Sequence, residues 1–493
     1  MTVRSPGADS TTASGTTGAT GEETAVRPRG LSGHAAAWID GTVGGARALR
    51  RELRHIFPDH WSFFLGEIAM YSFLVLIATG IFLALFFRAS GTEIVYEGSY
   101  APLQGVEMTE AYASTLDLSF DVRGGLLMRQ IHHWAALVFV AALVLHLFRM
   151  LFTGAYRRPR RLNWVIGLVL VQLVIANGIF GYSLPDDLLS GIGLRIAYSF
   201  IQAIPLLGPW VASVLFGGEF PTEEIITRIY PVHIFLVPAA IATLLAVHLG
   251  ALWLQRHTQF PGPGRDQRTV VGTPLVPAYA LRTVGFALLV AGGLAAMGGL
   301  LQINPLWLWG PYRAADATTM AQPDWYTTWL EGGLRLFPGW DLQIGGFLLP
   351  ALFWPALVLP GILFTALVLW PWIDAAFSRD RGFHNLLHAP CGRPLQAATT
   401  VGVATALLVL LIAGGNDVLA VLFGVNQPAV LRILQGQAIA LPPVAAMLAY
   451  AVCRGFSRAG GAAGQAPGGA TGGAPGEAIG GAADGARPGG PAG

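Results

Sequence analysis

The sequence predicts an all-α polytopic membrane protein with eight transmembrane helices, the first four forming a bundle, and a helical hairpin lying on one surface. Three observations predict it. Of 493 residues, 53% are hydrophobic and 12% charged, about half the charged share of a soluble chain. Eight apolar runs, near 63–87, 126–152, 163–181, 225–253, 279–302, 346–373, 397–415 and 429–453, reach the roughly 20 helical residues that a bilayer core of about 30 Å requires. A ninth apolar stretch, 188–218, is cut by Gly191, Gly193, Pro205, Gly208 and Pro209, so its pieces fit a hairpin at the surface and not a span.

The charges orient the spans. All 30 basic residues are arginine, and against 28 acidic ones they give a formal +2, too little to argue for nucleic acid. An even number of spans places both termini on one side. The N-terminal segment, the loops after spans two, four and six and the C-terminal segment hold most of the arginines, which makes that side cytoplasmic and the protein a multi-pass component of the cell membrane. Residues 1–44 are polar and Gly/Ser/Thr-rich, without the apolar core of a cleavable signal, and 457–493 are Gly/Ala/Pro-rich; both read as disordered. Between them the chain divides into an N-terminal four-span part, 45–257, and a C-terminal four-span part, 258–456. The outer loop 88–125 is polar with few signals, whereas the outer loop 303–345 is rich in Trp, Pro and Gly and long enough to suggest function. Cys391 and Cys453 lie far apart without CxxC or CxxCH spacing, which disfavours a disulfide framework, a zinc knuckle and covalently attached haem.

Five histidines lie inside spans: His132, His133 and His146 in span two, His233 and His248 in span four. Ionisable side chains at membrane depth are costly and ask for a partner. At about 100° per residue, His132 and His146, 14 residues apart, share a helix face roughly 21 Å apart along the axis. His233 and His248 are 15 apart, and a kink at Pro238 would absorb the extra residue. Two helices then offer imidazoles at two matching depths, an arrangement for two non-covalent, bis-histidine b haems that pass electrons and bind no further ligand. Spacing favours His132 over His133, which reads as a neighbour in a polar niche. Gly66 and Gly80 in span one and Gly167 and Gly181 in span three repeat the 14-residue interval and would leave room for flat rings. Arg129, Arg149 and Arg228 lie about one turn from the histidines, where guanidinium groups would fork onto haem propionates.

Several stretches together resemble a family: Trp61 to Gly80, Arg129-Gln130-Ile131-His132 through His146, Gly181-Tyr182-Ser183-Leu184-Pro185, Arg228 through His233, and Pro323-Asp324-Trp325-Tyr326. They resemble the cytochrome b subunit of quinol:cytochrome c reductases, the cytochrome bc complexes. Ser183 to Gly191 and His257 to Gly264 look like its actinobacterial branch. The resemblance implies a proton-translocating oxidoreductase subunit. Quinol, with menaquinol favoured, would be oxidised at the outer face between the hairpin and the Pro323–Tyr326 loop. One electron would go to a Rieske iron-sulfur subunit and on to a cytochrome c subunit. The other would pass the outer haem on His132 and His233 and the inner haem on His146 and His248 to a quinone near the cytoplasmic face. A homodimer is implied, with a terminal haem-copper oxidase as a further possible partner. Oxidising a quinol releases two protons, so the site needs a base. Asp324 is the candidate, where the family more commonly has glutamate, with Pro323, Trp325 and Tyr326 around it and Tyr182, Gly193 and Leu194 lining the ring pocket. For the inner quinone site the available groups are Glu67, His257 and Asp59; Arg282 stands before span five, where the family's aspartate is not evident. Two rivals are weighed against this reading. A dihaem anchor of another redox enzyme needs neither the hairpin nor the Pro-Asp-Trp-Tyr loop, and a non-redox transporter predicts no haem.

Overall fold

The computed structural model describes residues 52–316 and 322–463, together with His34 and Trp38; the expected disordered segments fall largely outside these residues. Among the described residues, eight helices are long and apolar enough to cross a membrane. In chain order, and numbered with the shorter helices between them, these are α1 (Trp61–Ala84), α3 (Gly125–Thr153), α4 (Arg161–Ser183), α7 (Glu224–Gln255), α8 (Leu275–Leu300), α10 (Trp354–Ser378), α11 (Pro394–Gly414) and α13, which spans with Gln427–Phe456. Helix α13 continues to Ala463, past the expected start of the tail. The protein is an integral membrane protein of mostly helical structure.

The hairpin forms as its Gly and Pro punctuation dictates: α5 (Leu188–Gln202) and α6 (Gly208–Phe216) flank the turn at Pro205. Two loops depart from expectation. Residues 88–125 carry β2 (Glu93–Val95), paired antiparallel with β3 (Glu107–Thr109), and then α2 (Glu110–Phe120). Thr109 caps α2 by accepting from Tyr112 N, and Tyr112, fully buried, donates to Leu306 O at 3.0 Å. Helix α2 is thus a buried strut, and its short length hides its period among polar residues. Span six begins at Trp354, not near 346, because Leu342–Ile344 and Phe347–Leu349 pair as β5 and β6 across Gly345 and Gly346, both at positive φ. The Gly-Gly turn converts an apolar run into a hairpin.

A third correction concerns the cysteines, which the structure joins in a Cys391–Cys453 disulfide. Distance in sequence misled here, since the loop after α10 folds back onto the end of α13. The same side shows what guanidinium offers. Buried Arg160 donates to His384 O, Gln255 O, Arg256 O and Asn385 Oδ1 at 2.7–3.1 Å, fastening three loops with one side chain that has five donors.

In the first four spans, α1 packs on α3 and α4 on α7, and α8 lies against both α1 and α3. Their shared core contains Ala69 and Phe73, Phe139, Val140 and Ala142, Leu170 and Val174, and Val237 and Ile241. In sequence all of these fall between the two glycines or the two histidines of their helix. The core is therefore an apolar layer dividing two polar levels. In lipid, such contacts hold helices by close packing. Short helix α9 (Trp325–Leu336) packs on α11 and on the N-terminal turns of α10, and Tyr326 at its start is buried in the same core.

Candidate functional site

The structure brings the four histidines together in two pairs. At the first level the His132 and His233 rings have centroids 6.3 Å apart. This separation would admit a metal ion between the rings, with two metal–imidazole bonds of about 2 Å. Their tautomers are set by the groups bonded to the other ring nitrogen. The Thr79 hydroxyl donates to Val75 O, so its oxygen accepts from His132 Nδ1 at 2.9 Å. His233 Nδ1 donates to Asn177 O at 3.0 Å. Both Nε2 atoms are left basic, as an axial ligand requires. At the second level His146 and His248 lie within electrostatic reach of one another; the His146 Nδ1 is buried without a partner, and the His248 ring faces the Asn163 backbone.

The glycines meet the levels expected of them. A Cβ at Gly80 would stand 3.3 Å from the His132 ring and one at Gly66 3.5 Å from His146. One at Gly167 would be 3.4 Å from His248, and at Gly181 contact with the His233 ring would be prohibitive. Helix α7 reaches this alignment differently from the kink expected at Pro238. Residues Val232–Leu236 form a π turn containing His233. An i to i+5 turn holds one more residue than an α turn, so the 15-residue interval acts as the 14-residue interval of α3.

Of the three arginines, two fit. Arg129 is bonded to Asn304 O through Nη2 while its buried Nε has no partner. Arg149 has both Nε and Nη2 buried and unpartnered, donors that would suit an anion. Arg228 does not fit. It pairs with Glu224 and donates to Val214 O, with its side chain 44% exposed, because the two residues stand one turn apart on α7 and close a local ion pair.

The Pro323–Tyr326 loop delivers Asp324 to the first level. As the residue preceding α9, Asp324 could cap it, yet its side chain makes no capping bond. Oδ1 instead accepts from His133 Nε2 at 2.8 Å and Oδ2 from Tyr326 OH at 3.0 Å. His133 is therefore tied to the candidate base, a role its polar-niche reading missed; two adjacent histidines facing different partners were the available signal. The Tyr326 hydroxyl sits against Gly178, where a Cβ would collide with it. Trp325 stands edge-on to the Tyr326 ring, and the Pro323 carbonyl accepts from Thr328 within α9. Tyr182 lies within reach of the charges of Asp324, Asp187 and Glu331, and a Cβ on Gly193 would be 3.0 Å from its ring. Leu194 is buried in the apolar cluster beneath the hairpin, with Leu184, Phe216 and Ile225.

Asp187 was also missed. It is wholly buried, accepts from Leu189 N, and has Oδ1 without a partner. Burial pushes its carboxyl up to about 6. Burial likewise raises Asp186, with repulsion from Asp187 and Glu93, to about 7.

At the opposite level the three candidates separate. Glu67 and Asp59 line one cavity of about 280 Å³ together with His60, Tyr279 and Arg282. His257 is not in its lining; it packs on Phe57, which stacks on Tyr279 at 4.1 Å. Burial, with His55 and Arg160, lowers His257 to about 4.

A family model described as Cytochrome b(N-terminal)/b6/petB matches residues 137–311. The chain is 44% identical over 420 residues to a protein of Corynebacterium efficiens named cytochrome bc1 complex cytochrome b subunit, covering 85% of this chain and 77% of that one. It is 46% identical over 421 residues to the protein of the same name from Mycobacterium leprae, covering 85% and 76%. A solved chain of a hyperthermophilic respiratory Complex III shares the fold, with TM-score 0.62 at 20% identity, covering 84% of this chain and 100% of that one.

Proposed function

The chain belongs to the cytochrome b subunits of the cytochrome bc1 complex, and from that membership we propose that it oxidises quinol at the Asp324 level and reduces quinone at the Arg149 level. As a member it is a subunit of a multi-subunit oxidoreductase, and its family implies b haems. His132 with His233 and His146 with His248 would hold two of them, non-covalently, with Arg129 and Arg149 toward their propionates. When bound, they supply one-electron passage between the levels.

This chain's own residues do the rest. Asp324 accepts a proton from the quinol hydroxyl; its two oxygens, shared between His133 and Tyr326, aim it while leaving lone pairs free. Tyr182, Gly193 and the α5 end of the hairpin bound the ring. The apolar layer around Phe73, Phe139 and Ile241 excludes water between levels, so protons released at one side do not return through the bundle. The arginine distribution sets the Asp324 level outward and both termini in the cytoplasm, so outward release and inward uptake store a membrane potential. A Rieske protein and a cytochrome c subunit receive the other electron, since the sequence shows no CxxCH motif. Menaquinol is the proposed donor, and a homodimer the proposed assembly, with a terminal haem-copper oxidase as the onward acceptor.

The observation that carries this reading is the bond from Asp324 to His133, which sets a base beside His132. The test is His233→Ala in the complete complex. Reduced-minus-oxidised spectra are expected to lose the outer b-type band and keep the inner one, with quinol no longer reducing the inner haem. Retention of both bands, or wild-type reduction of the inner haem by quinol, would overturn the assignment.

A further inference from the structure

Glu67 is the acidic residue of the first span, placed one residue after Gly66, where a Cβ would stand 3.5 Å from the His146 ring. A carboxyl at that depth is costly unless it is used or fully satisfied. Its partners are all hydroxyls: Tyr279 OH at 2.6 Å, Thr283 Oγ1 at 3.0 Å and Tyr71 OH at 3.2 Å. Tyr71 and Thr283 are themselves 2.5 Å apart. Hydroxyl groups both donate and accept, so this set can serve either protonation state of Glu67 by turning its O–H bonds. A fixed cation would pin the carboxylate. Asp59 shows that contrast in the same cavity: it pairs with Arg282 at 2.6 Å and accepts from Thr273 at 2.7 Å. Partial burial works against it, yet Thr273, Arg282 and Arg265 hold its carboxyl below the usual range. His60, the remaining titratable group of the lining, is lowered by burial and by Arg149 and Arg265. The strand pair β1 (Ile56–Phe57) and β4 (Thr273–Pro274) brings the two ends of the cavity together. One wall opens to water, with the Asp59 side chain 45% exposed.

We propose that this cavity takes the quinone ring at the inner level, that Glu67 is the catalytic residue handing it a proton, and that Arg282, oriented by Asp59, faces its second carbonyl oxygen. The inference rests on the inner-site reading above and assigns its residues. Each quinone gains two electrons, arriving singly through the haem pair, and two protons. One proton leaves the Glu67 carboxyl for a carbonyl oxygen, forming an O–H bond there. The second proton is taken up from the aqueous phase at the open wall beside Arg282, and a further proton from the same phase restores Glu67, so that each turnover draws two protons from that side.

The test uses the complete complex with Glu67→Gln, Glu67→Asp and Tyr279→Phe. A quinol pulse first reduces the haems; absent b bands, or no reduction in the wild type, would sink the underlying function and not this assignment. Reoxidation of the inner b band by a water-soluble naphthoquinone is then followed. Glu67→Gln is expected to slow it about a hundredfold and to remove a carboxyl band from the redox-induced infrared difference spectrum. Glu67→Asp should recover most of the rate. Wild-type reoxidation in Glu67→Gln with the carboxyl band unchanged would overturn the proposal. Should Glu67→Gln lose the inner haem, Tyr279→Phe decides: slowed reoxidation with both bands present supports it, and the wild-type rate refutes it.

Discussion

Asp324 occupies a position where aspartate ordinarily caps a helix, and its carboxylate points elsewhere, to His133 and Tyr326. Asp324→Asn keeps the shape of this arrangement and removes the proposed base, so quinol oxidation is expected to fall by about 10²–10⁴ with both b bands intact, measured as quinol-dependent cytochrome c reduction. His133→Ala should cost less, about tenfold, because it frees the carboxylate without deleting it. The proposed base could be singled out in the sequence because its Pro-Asp-Trp-Tyr context is specific; its bond to His133 could not, because one of two adjacent histidines carries no mark of which way it faces. Asp186 makes a prediction about pH. Its folded value, raised by burial to about 7, means the protonated form stabilises the fold. That stability is complete below the unfolded value near 3.8 and is lost as pH rises through 7. Asparagine mimics the neutral acid and tolerates the positive φ of this residue. Asp186→Asn should therefore match the wild type in thermal unfolding near pH 4 and exceed it at pH 8 by a few kcal/mol, since each pH unit between the folded and unfolded values is worth about 1.4 kcal/mol. Equal stability of the two at pH 8 would contradict the buried placement.

Among the elements, the apolar spans were legible because twenty apolar residues have few other uses, whereas α2 and the β5–β6 hairpin were not. Helix α2 is too short to display a period, and β5–β6 is apolar enough to pass for the start of a helix until the Gly345-Gly346 turn is seen. The histidine spacing in α7 was legible as an anomaly, but its remedy was not: Pro238 suggested a kink, and the chain uses a π turn at Val232–Leu236. A π turn is an inserted residue, so removing it has a definite consequence. Deleting Phe235 sets His233 and His248 14 positions apart, the interval of His132 and His146 in α3, and a plain α-helix keeps them on one face. Inserting an alanine after Phe235 instead turns the two apart by about 100°. The deletion is expected to retain both b bands and the insertion to lose one; loss of a band from both variants would show that the π turn does more than correct register.

For the whole molecule, the unequal placement of arginine predicts which face is which, and the structure makes the prediction testable. With Cys391 and Cys453 joined, the chain has no free thiol among the described residues, so an introduced cysteine reports alone. Gln343 lies on the exposed β5 strand, on the face that carries α9, and Pro263 lies exposed in the loop after α7, on the opposite face. Positive residues resist translocation within short loops, and the loops after α3, α7 and α10 carry Arg157, Arg158, Arg160, Arg256, Arg265, Arg268, Arg379, Arg381 and Arg393, with Arg161 at the start of α4. Several of these also bind structurally, as Arg160 does across three loops, so the arginines that carry the proposed orientation also fasten the surface they share; lysine, with its single ammonium, could orient but not bridge in the same way. In intact cells a membrane-impermeant maleimide is expected to label Gln343→Cys and to leave Pro263→Cys unlabelled until the membrane is opened. The reverse pattern would place Asp324 on the cytoplasmic side, and protons released there could not charge the membrane in the proposed sense, however well the two histidine levels conduct.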